Sequence, residues 1–503
     1  MPALSGGHSI ALIQRSEMAQ QTIGKSPDGR SAAVNAVVWV ATSRLFGQVS
    51  QIAVFFLAMR ILLPEEFGLY AVISSIGIFA TVIAEGGWAE FLMKSRLRRD
   101  EFDQVATVAL LSGIFVTSCG LGVSLLLSQL LNFPEAGWLL TLFSCWVTLS
   151  VASSVFEGAL VAEGQFRKQA WIRIGAELAG LLVAVFGLTQ GFGSAALVHG
   201  RILTQLVTLV ASMMVFGRFP RPAFERNMAI ALWGFSKHIV ANRFVVFLGS
   251  YSGTLALGVS VGVLEAGYYR AAERLVSAIS EFLGEPSKTL AWRYFRQAQQ
   301  NQDDGIQQAV TKMSVRFLTA LLLAGTPAYL GLALVAPSVV ELLLGVAWLP
   351  AAPIVAVLCL RQFLLLPGYI TEPLVTVTGH FRRRLPVTVL NVAVAVFAVL
   401  MFAPHGVIPL AIAQCGAAAF AISMSVRLQI VYGKADWPTV CRNFAVFGFV
   451  PAIALAVVVT LVPIWAVGFG DIELLVLQVF AGAVVFASLS FLAFRLVGRR
   501  PST

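Results

Sequence analysis

Long apolar runs follow one another along almost the whole chain, broken only by short polar turns. They fall at 34–62, 67–92, 105–131, 137–161, 171–190, 193–216, 228–257, 263–291, 313–336, 351–378, 385–403, 406–430, 440–462 and 473–497. About twenty apolar residues, coiled at 1.5 Å per residue, cross the ~30 Å hydrocarbon core of a bilayer. The pattern therefore predicts an all-α polytopic membrane protein with about fourteen transmembrane helices and almost no soluble domain. The segments at 67–92 and 263–291 fit least well, because each carries several charges.

Composition agrees with lipid as the main solvent. Of 503 residues, 58% are hydrophobic and 12% charged, and the mean hydropathy is +0.83. A soluble chain carries roughly a quarter of its residues charged. Residues 1–33 are polar and lack an apolar core or a small-residue cleavage pattern, so they read as a cytoplasmic tail rather than a signal peptide. Five scattered cysteines without a CxxC pair give no reason to expect a disulfide, a zinc site or another metal or cofactor.

The placement of charge supports this map. With a cytoplasmic N-terminus, every second gap and both termini face the cytoplasm, and these regions hold 26 of the 35 basic residues. Among them are Lys94–Arg99, Arg218–Arg226, Arg382–Arg384 and Arg495–Arg500. The opposite gaps hold mainly acids such as Glu65, Glu66, Glu135 and Glu341. This is the positive-inside distribution. It accounts for the net charge of +10 without a nucleic-acid partner and favours anionic lipid at the inner surface.

A weak internal repeat is also visible. Phe67-Gly68-Leu69-Tyr70 opens the second apolar segment and Ala266-Gly267-Tyr268-Tyr269 the eighth, 199 residues later, and each segment runs on into a basic stretch. An offset of six helices keeps both halves in one orientation. It implies two six-helix lobes related by a pseudo-twofold axis along the membrane normal. The expected organisation is a tail at 1–33, an N-lobe at 34–217, a C-lobe at 218–432, and two extra helices with a cytoplasmic C-terminus at 433–503.

Nine basic residues remain inside or beside apolar segments: Arg44, Arg60, Arg201, Lys237, Arg243, Arg270, Arg274, Lys288 and Arg361. A charge at a helix centre costs ~2.5–3.5 kcal/mol on insertion scales. Arg60 and Lys288 sit near segment ends and can snorkel. The others align with polar neighbours at helical spacing: Arg44, Gln48 and Gln51; Arg201, Gln205 and Thr208; Arg270, Arg274, Ser277, Glu281 and Glu285. Arg361 and Glu372 are three turns apart on one predicted face. Lys237 and Arg243 do not share a face, so at least one is expected to serve packing.

Such stripes cannot face lipid. They are either paired structural charges or the wall of a hydrated cationic cavity between the lobes. On the second reading Arg44, Arg201, Arg243, Arg270, Arg274 and Arg361 would bind an anionic substrate, since guanidinium groups grip phosphate oxygens bidentately and stay charged when buried. Gln48, Gln51, Gln205 and Ser277 would line the cavity. Glu85, Glu273, Glu281 and Glu372 are candidate ion-coupling positions or simple counter-charges. His238 could carry a proton or be structural. Gly86-Gly87, Pro367-Gly368 and Pro373 mark candidate bends. No Walker A or HExxH motif is present, which argues against ATP-driven transport and against that class of metal hydrolase.

Two stretches carry a family resemblance. Arg60-Ile61-Leu62-Leu63-Pro64-Glu65-Glu66-Phe67-Gly68-Leu69-Tyr70 resembles the LxPxxFGxY junction of bacterial polysaccharide transporters, and Glu341 to Pro353 resembles the segment before their tenth helix. The whole chain is similar to Wzx-type flippases of the polysaccharide transport family, within the multidrug/oligosaccharidyl-lipid/polysaccharide exporter superfamily. The resemblance implies a V-shaped, two-lobed inner-membrane protein working by alternating access. It would move an undecaprenyl-pyrophosphate-linked oligosaccharide to the periplasmic leaflet for O-antigen, capsule or exopolysaccharide, beside a bacterial polysaccharide polymerase machinery. A lipid II flippase and a drug/cation antiporter of the same superfamily are the alternatives. A membrane polymerase or ligase fits less well, because no long outward loop is available for catalytic groups.

Overall fold

The computed structural model describes residues 27–94, 99–300, 306–466 and 469–498. Residues 1–26 of the expected tail, the basic residues Arg96, Arg98, Arg499 and Arg500, and the side chain of Glu285 lie outside the described residues. Among those described the structure is helix and turn, with no strand.

In the first half, α1 spans Pro27–Ile61, α2 Pro64–Glu85, α3 Arg99–Leu125, α4 Pro134–Ala162, α5 Phe166–Thr189 and α6 Ala195–Phe216. In the second, α7 spans Arg226–Ser260, α8 Val263–Gln300, α9 Ile306–Gly325 with an extension to Leu334, α10 Ala352–Leu365, α11 Arg384–Phe402 and α12 Val407–Val431. The chain ends in α13, which runs from Trp437 to Trp465 through a wide turn at Ala445–Phe449, and α14, Asp471–Gly498.

Local chemistry sets several boundaries. Proline at the first helical position starts α2 and α4, where its missing N–H costs nothing. Glu66 folds back to accept a hydrogen bond from Leu63 N at 3.2 Å. Gly86 and Gly87, at φ +52° and +80°, end the first part of α2, and a short helix, Trp88–Lys94, continues beyond them. The expected bend at Pro367-Gly368 is a 3₁₀ turn over Leu366–Ile370, after which helix resumes at Thr371–Val377. Asp436 caps α13 by accepting from Thr439 N at 3.2 Å and Thr439 Oγ1 at 2.5 Å, which holds its carboxyl below the usual carboxylate range.

Among the described residues, twelve helical segments are long and apolar enough to cross a membrane. The other two expected spans, α7 and α8, are longer still at 35 and 38 residues, but their charges keep them from meeting that description on composition. Which helices are central follows from how much of each is covered by protein. The most apolar stretch of α4 is 72% buried and that of α11 only 6%. Large side chains stand fully outward, with Trp465 84% and Val259 87% exposed. A belt of this kind suits hydrocarbon and would aggregate in water.

The helix contacts repeat with an offset of six. In the first half α1 packs on α5, α2 on α3 and α4, α3 on α4, and α6 on α4 and α5. In the second, α7 packs on α11, α8 on α9 and α10, α9 on α10, and α12 on α10 and α11. The two sets meet where α2 packs along α7 and α8. The last pair, α13 and α14, packs on itself and on the extension of α9 through Val335, Leu455, Val459 and Phe486.

Candidate functional site

A cavity of about 320 Å³ lies under the end of the bundle where α1 finishes and α2 and α8 begin. Its walls are the last turns of α1, the first turns of α2, the middle of α4 and α5, and the first turns of α6, closed by Tyr251 of α7 and by Arg270 and Arg274 of α8. Neither α10 nor α12 contributes to the lining. Small residues make the room: an added Cβ on Gly180 of α5 or Gly200 of α6 would lie 2.7 Å from the other's carbonyl oxygen, so the backbones touch behind the cavity.

The lining mixes cations, amides, hydroxyls and rings. Arg201, Arg270 and Arg274 supply the positive charge and Glu177 the only lining carboxylate. Gln51, Gln205, Ser50, Ser74 and Thr204 are polar and neutral, while Trp146, Tyr70, Tyr251, Phe55 and Phe67 are aromatic. Gln51 lies against the Glu177 carboxylate. Ser153 Oγ donates to Gln205 Oε1 at 2.7 Å, which fixes the amide.

The three arginines differ in their partners. Arg270 Nη1 is 2.7 Å from Glu273 Oε2 and 3.3 Å from Ser250 O, and its guanidinium lies 4.4 Å from the centre of the Tyr251 ring. Arg274 Nη1 is 2.6 Å from Glu281 Oε1, two turns further along the same face of α8. Arg201 forms no ion pair with any described residue; it lies against Trp146, 5.9 Å from the ring centre. It is thus the lining cation with no carboxylate already in contact.

Several residues of the expected cationic set lie elsewhere. Arg243 bridges Glu85 at 2.8 Å and Glu90 at 2.6 Å, joining α7 to α2 away from the cavity, and Glu85 also accepts from Ser150 Oγ at 3.0 Å. Arg361 reaches Glu273 at 3.8 Å, so that this one carboxylate serves Arg270 and Arg361. Glu372 is shared by Lys288 at 3.0 Å and Arg384 at 2.9 Å. The 3₁₀ turn between Arg361 and Glu372 breaks the regular spacing, yet both reach partners on α8. Arg44 is exposed and Gln48 half-buried, and neither lines the cavity. They share a face of α1 with Gln51, with Arg44 about 10 Å further along the axis at 1.5 Å per residue. Ser277 Oγ donates to Arg274 O at 3.0 Å, within its own helix.

The cavity is roofed by the two resembling stretches and the internal repeat, brought together. At Gly68 an added Cβ would sit 1.8 Å from Val263 O, and at Gly267 it would sit 2.4 Å from Pro64 O. The paired glycines of the repeat are therefore the point at which α2 and α8 cross, backbone on backbone. Trp348, from the stretch before α10, donates from Nε1 to Met59 O at 2.9 Å and packs edge-on against Phe67 and Tyr268 at 5.7 and 6.1 Å. Arg60 donates to Leu342 O. These contacts tie the end of α1 to the second half of the chain, and Trp348 is 1% exposed.

Known proteins place this architecture. Solved structures match it over most of their length: the lipid II flippase MurJ in its inward closed conformation covers 93% of this chain and 100% of its own, at TM-score 0.68 and 12% identity. An inward-facing multidrug resistance MATE transporter of the MOP superfamily covers 78% and 98%, at TM-score 0.53 and 15% identity. These likenesses are of fold, the two-lobed fold of that superfamily. By sequence the chain is 28% identical over 311 residues to the succinoglycan biosynthesis transport protein ExoT of Rhizobium meliloti, 61% of this chain and 62% of that protein. It is 25% identical over 318 residues to the lipopolysaccharide biosynthesis protein WzxC of Escherichia coli, 60% and 61%. The chain thus spans about three fifths of the curated relatives it matches. Residues 56–353, which hold every described lining residue except Ser50, Gln51, Val54 and Phe55 of α1, match the polysaccharide biosynthesis protein model, Polysacc_synt_3. With the roof, the cavity and the two-lobed bundle all in place, the chain belongs to that polysaccharide biosynthesis protein family.

Proposed function

We propose that this protein carries a lipid-linked oligosaccharide, with undecaprenyl pyrophosphate as the anchor, from the cytoplasmic to the periplasmic leaflet of a bacterial inner membrane. Its termini are then cytoplasmic, and the lobes at 34–217 and 218–432 alternate in access, with 433–503 as an appendage. The observation that carries the reading is the cavity with Arg201, Arg270 and Arg274 in its wall, where Glu177 is the only carboxylate among the described lining residues. Guanidinium groups in a low-dielectric site suit a pyrophosphate. A cation antiporter needs the opposite sign. The relatives, a succinoglycan biosynthesis transport protein and a lipopolysaccharide biosynthesis protein, support a polysaccharide precursor as cargo and its polymerase as the consumer.

The carboxylates give the cavity a resting state. While it is empty, Glu273 and Glu281 pair with Arg270 and Arg274. An arriving phosphate competes for the same donors, beginning at Arg201, where no exchange of partner is needed. Exchange at Arg270 then leaves Glu273 to Arg361 alone, and so draws α8 toward α10. Glu85 and Glu372 hold α7 and α11 in the same manner. With the cell interior negative, outward movement of each negative charge gains ~2.3 kcal/mol per 100 mV.

The test is the lipid-linked glycan pool of cells lacking the protein, with the leaflet assigned by an impermeant sugar probe. A completed repeat unit should accumulate on the inner leaflet while surface polymer is lost. An unchanged pool with intact polymer would overturn the proposal.

A further inference from the structure

The two halves of the bundle are joined covalently only through residues 217–225, between α6 and α7. This joint is not helical, and it is not slack. Pro220 and Pro222 restrict its backbone. The first turns of α3 hold it in place. Arg221 N donates to Asp103 Oδ1 at 3.1 Å, Ala223 N donates to Thr107 Oγ1 at 3.0 Å, and Gln104 Nε2 donates to Glu225 Oε2 at 3.3 Å. Asp103 is 7% exposed, so its carboxylate lies covered at this contact.

We propose that this linker is a binding site for anionic phospholipid of the cytoplasmic leaflet. Arg218, Arg221 and Arg226 take headgroup phosphates, and Phe219 and Phe224 enter the interface beside them. The inference goes beyond the transport reading and shares with it only the cytoplasmic placement of the linker.

The side chains divide by what the pinned backbone does with them. Pro220 and Ala223 are half-buried, while Arg218, Arg221 and Arg226 are exposed. Phe219 is 72% and Phe224 69% exposed. None of the three arginines forms an ion pair with a described residue, and the only acid of the linker, Glu225, is held by Gln104. Arg218 is placed by the ring at the end of α6: its guanidinium lies 5.6 Å from the centre of Phe216, which packs on Phe102 at 4.8 Å. Free guanidinium groups grip phosphate oxygens.

The level in the membrane selects the partner. A segment that joins the ends of two membrane helices lies among headgroups, where basic residues meet phosphate and rings enter the acyl boundary. A soluble acidic partner would use the arginines and leave both rings unexplained. Each basic residue near an anionic surface gains about five-fold in association, so three give at most roughly 10². On the alternating-access reading, the lipid would sit at the pivot between the lobes.

The experiment uses the full chain in nanodiscs. A bimane is attached at Phe219→Cys or Phe224→Cys in a cysteine-free background and quenched by nitroxide-bearing phosphatidylglycerol or phosphatidylcholine. Both probes should be quenched by phosphatidylglycerol at about a ten-fold lower mole fraction or less, and high salt should shrink that preference. Arg221→Gln alone should cost about five-fold of it, and the triple Arg218→Gln, Arg221→Gln, Arg226→Gln variant should abolish it while phosphatidylcholine still quenches. Val259→Cys, 87% exposed at the far end of α7, is the control and should show no preference. If the triple variant fails to fold, the salt series and Arg221→Gln decide the matter. Equal quenching by the two lipids would overturn the site, as would a preference that survives the triple variant. Quenching by aqueous iodide and by neither lipid would put both rings in water; that overturns the site and leaves the surface to a soluble partner.

Discussion

One methyl group at Gly68 should open the roof of the cavity. In Gly68→Ala the new carbon would begin 1.8 Å from Val263 O, while ordinary contact starts at 3.4 Å, so α2 and α8 must separate by about 1.6 Å. The obstacle is backbone and cannot rotate away. At that separation the Trp348 Nε1 to Met59 O bond, now 2.9 Å, is stretched beyond any hydrogen bond. A buried donor left unpaired costs about 1–3 kcal/mol. A radial gap of 0.5–1 Å already forfeits a quarter to a half of each dispersion contact, which weakens the packing of Phe67 and Tyr268 on Trp348 as well. Together the closed state should lose about 3 kcal/mol, a factor of roughly 10² in the ratio of closed to open. The assay places a cysteine at Ser74, a buried lining residue of α2, in a cysteine-free background and labels it with an impermeant maleimide from outside the cell. Gly68→Ala should raise the labelling rate by one to two orders of magnitude. Gly249→Ala, where an added Cβ meets nothing within 4 Å, is the control and should not. A folded Gly68→Ala protein that labels like the wild type would refute the claim that this crossing is the closure.

Other expectations follow from the charges. Reversing both Arg270 and Arg274 to Glu should abolish transport in the complementation assay while leaving the protein in the membrane; normal polymer from that double variant would remove this face of α8 from the substrate path. Arg243→Ala strands Glu85 and Glu90 and should destabilise the protein by about 2 kcal/mol, below the roughly 3–5 kcal/mol of a fully buried broken pair because these side chains are partly exposed. Adding Glu85→Gln should recover part of that loss in a thermal melt of detergent-solubilised protein, and a purely additive double variant would show the pair is not coupled. Cysteines at Arg383 and Gly470 should label from opposite sides of the membrane, and labelling of both from outside would refute the fourteen-helix path.

Much of the fold is readable along the chain because lipid imposes a local rule. A helix satisfies its own backbone, and a run of about twenty apolar residues can do nothing else in hydrocarbon. The chain's helical class, the length of its helices and the breaks at Gly86-Gly87 and Pro367 all follow from residues near one another in sequence, and the six-helix repeat follows from comparing two such local stretches, at Gly68 and Gly267. Even α7 and α8, whose charges make them poor spans by composition, are legible as helices with polar faces. The reason for those faces is not legible. Periodicity shows that Arg243, Arg270 and Arg361 avoid lipid, but not what each one meets. Salt bridges between helices far apart in sequence decide that Arg243 ties α7 to α2, that Glu273 serves two arginines, and that Arg201 is left facing Trp146.

The cavity was expected between the lobes, from helices of both halves. The structure puts the enclosed part mainly within the first half, with α7 and α8 as its lid. Glu177 lines it without any distinguishing spacing in the sequence; Tyr70 is legible only as part of the repeat and the junction stretch, and Trp146 gives no sequence signal, since a ring in an apolar run looks like core or lipid-facing surface. The closing contacts are likewise invisible along the chain. Met59 and Trp348 are 289 residues apart, and their bond exists because two glycines of the repeat let α2 and α8 cross at backbone distance. Sequence by itself determined which segments cross the membrane, because insertion depends on each segment's own apolar length and charge. Only the tertiary structure decided which polar faces form a cavity and which form a latch, because that depends on where side chains from distant helices meet.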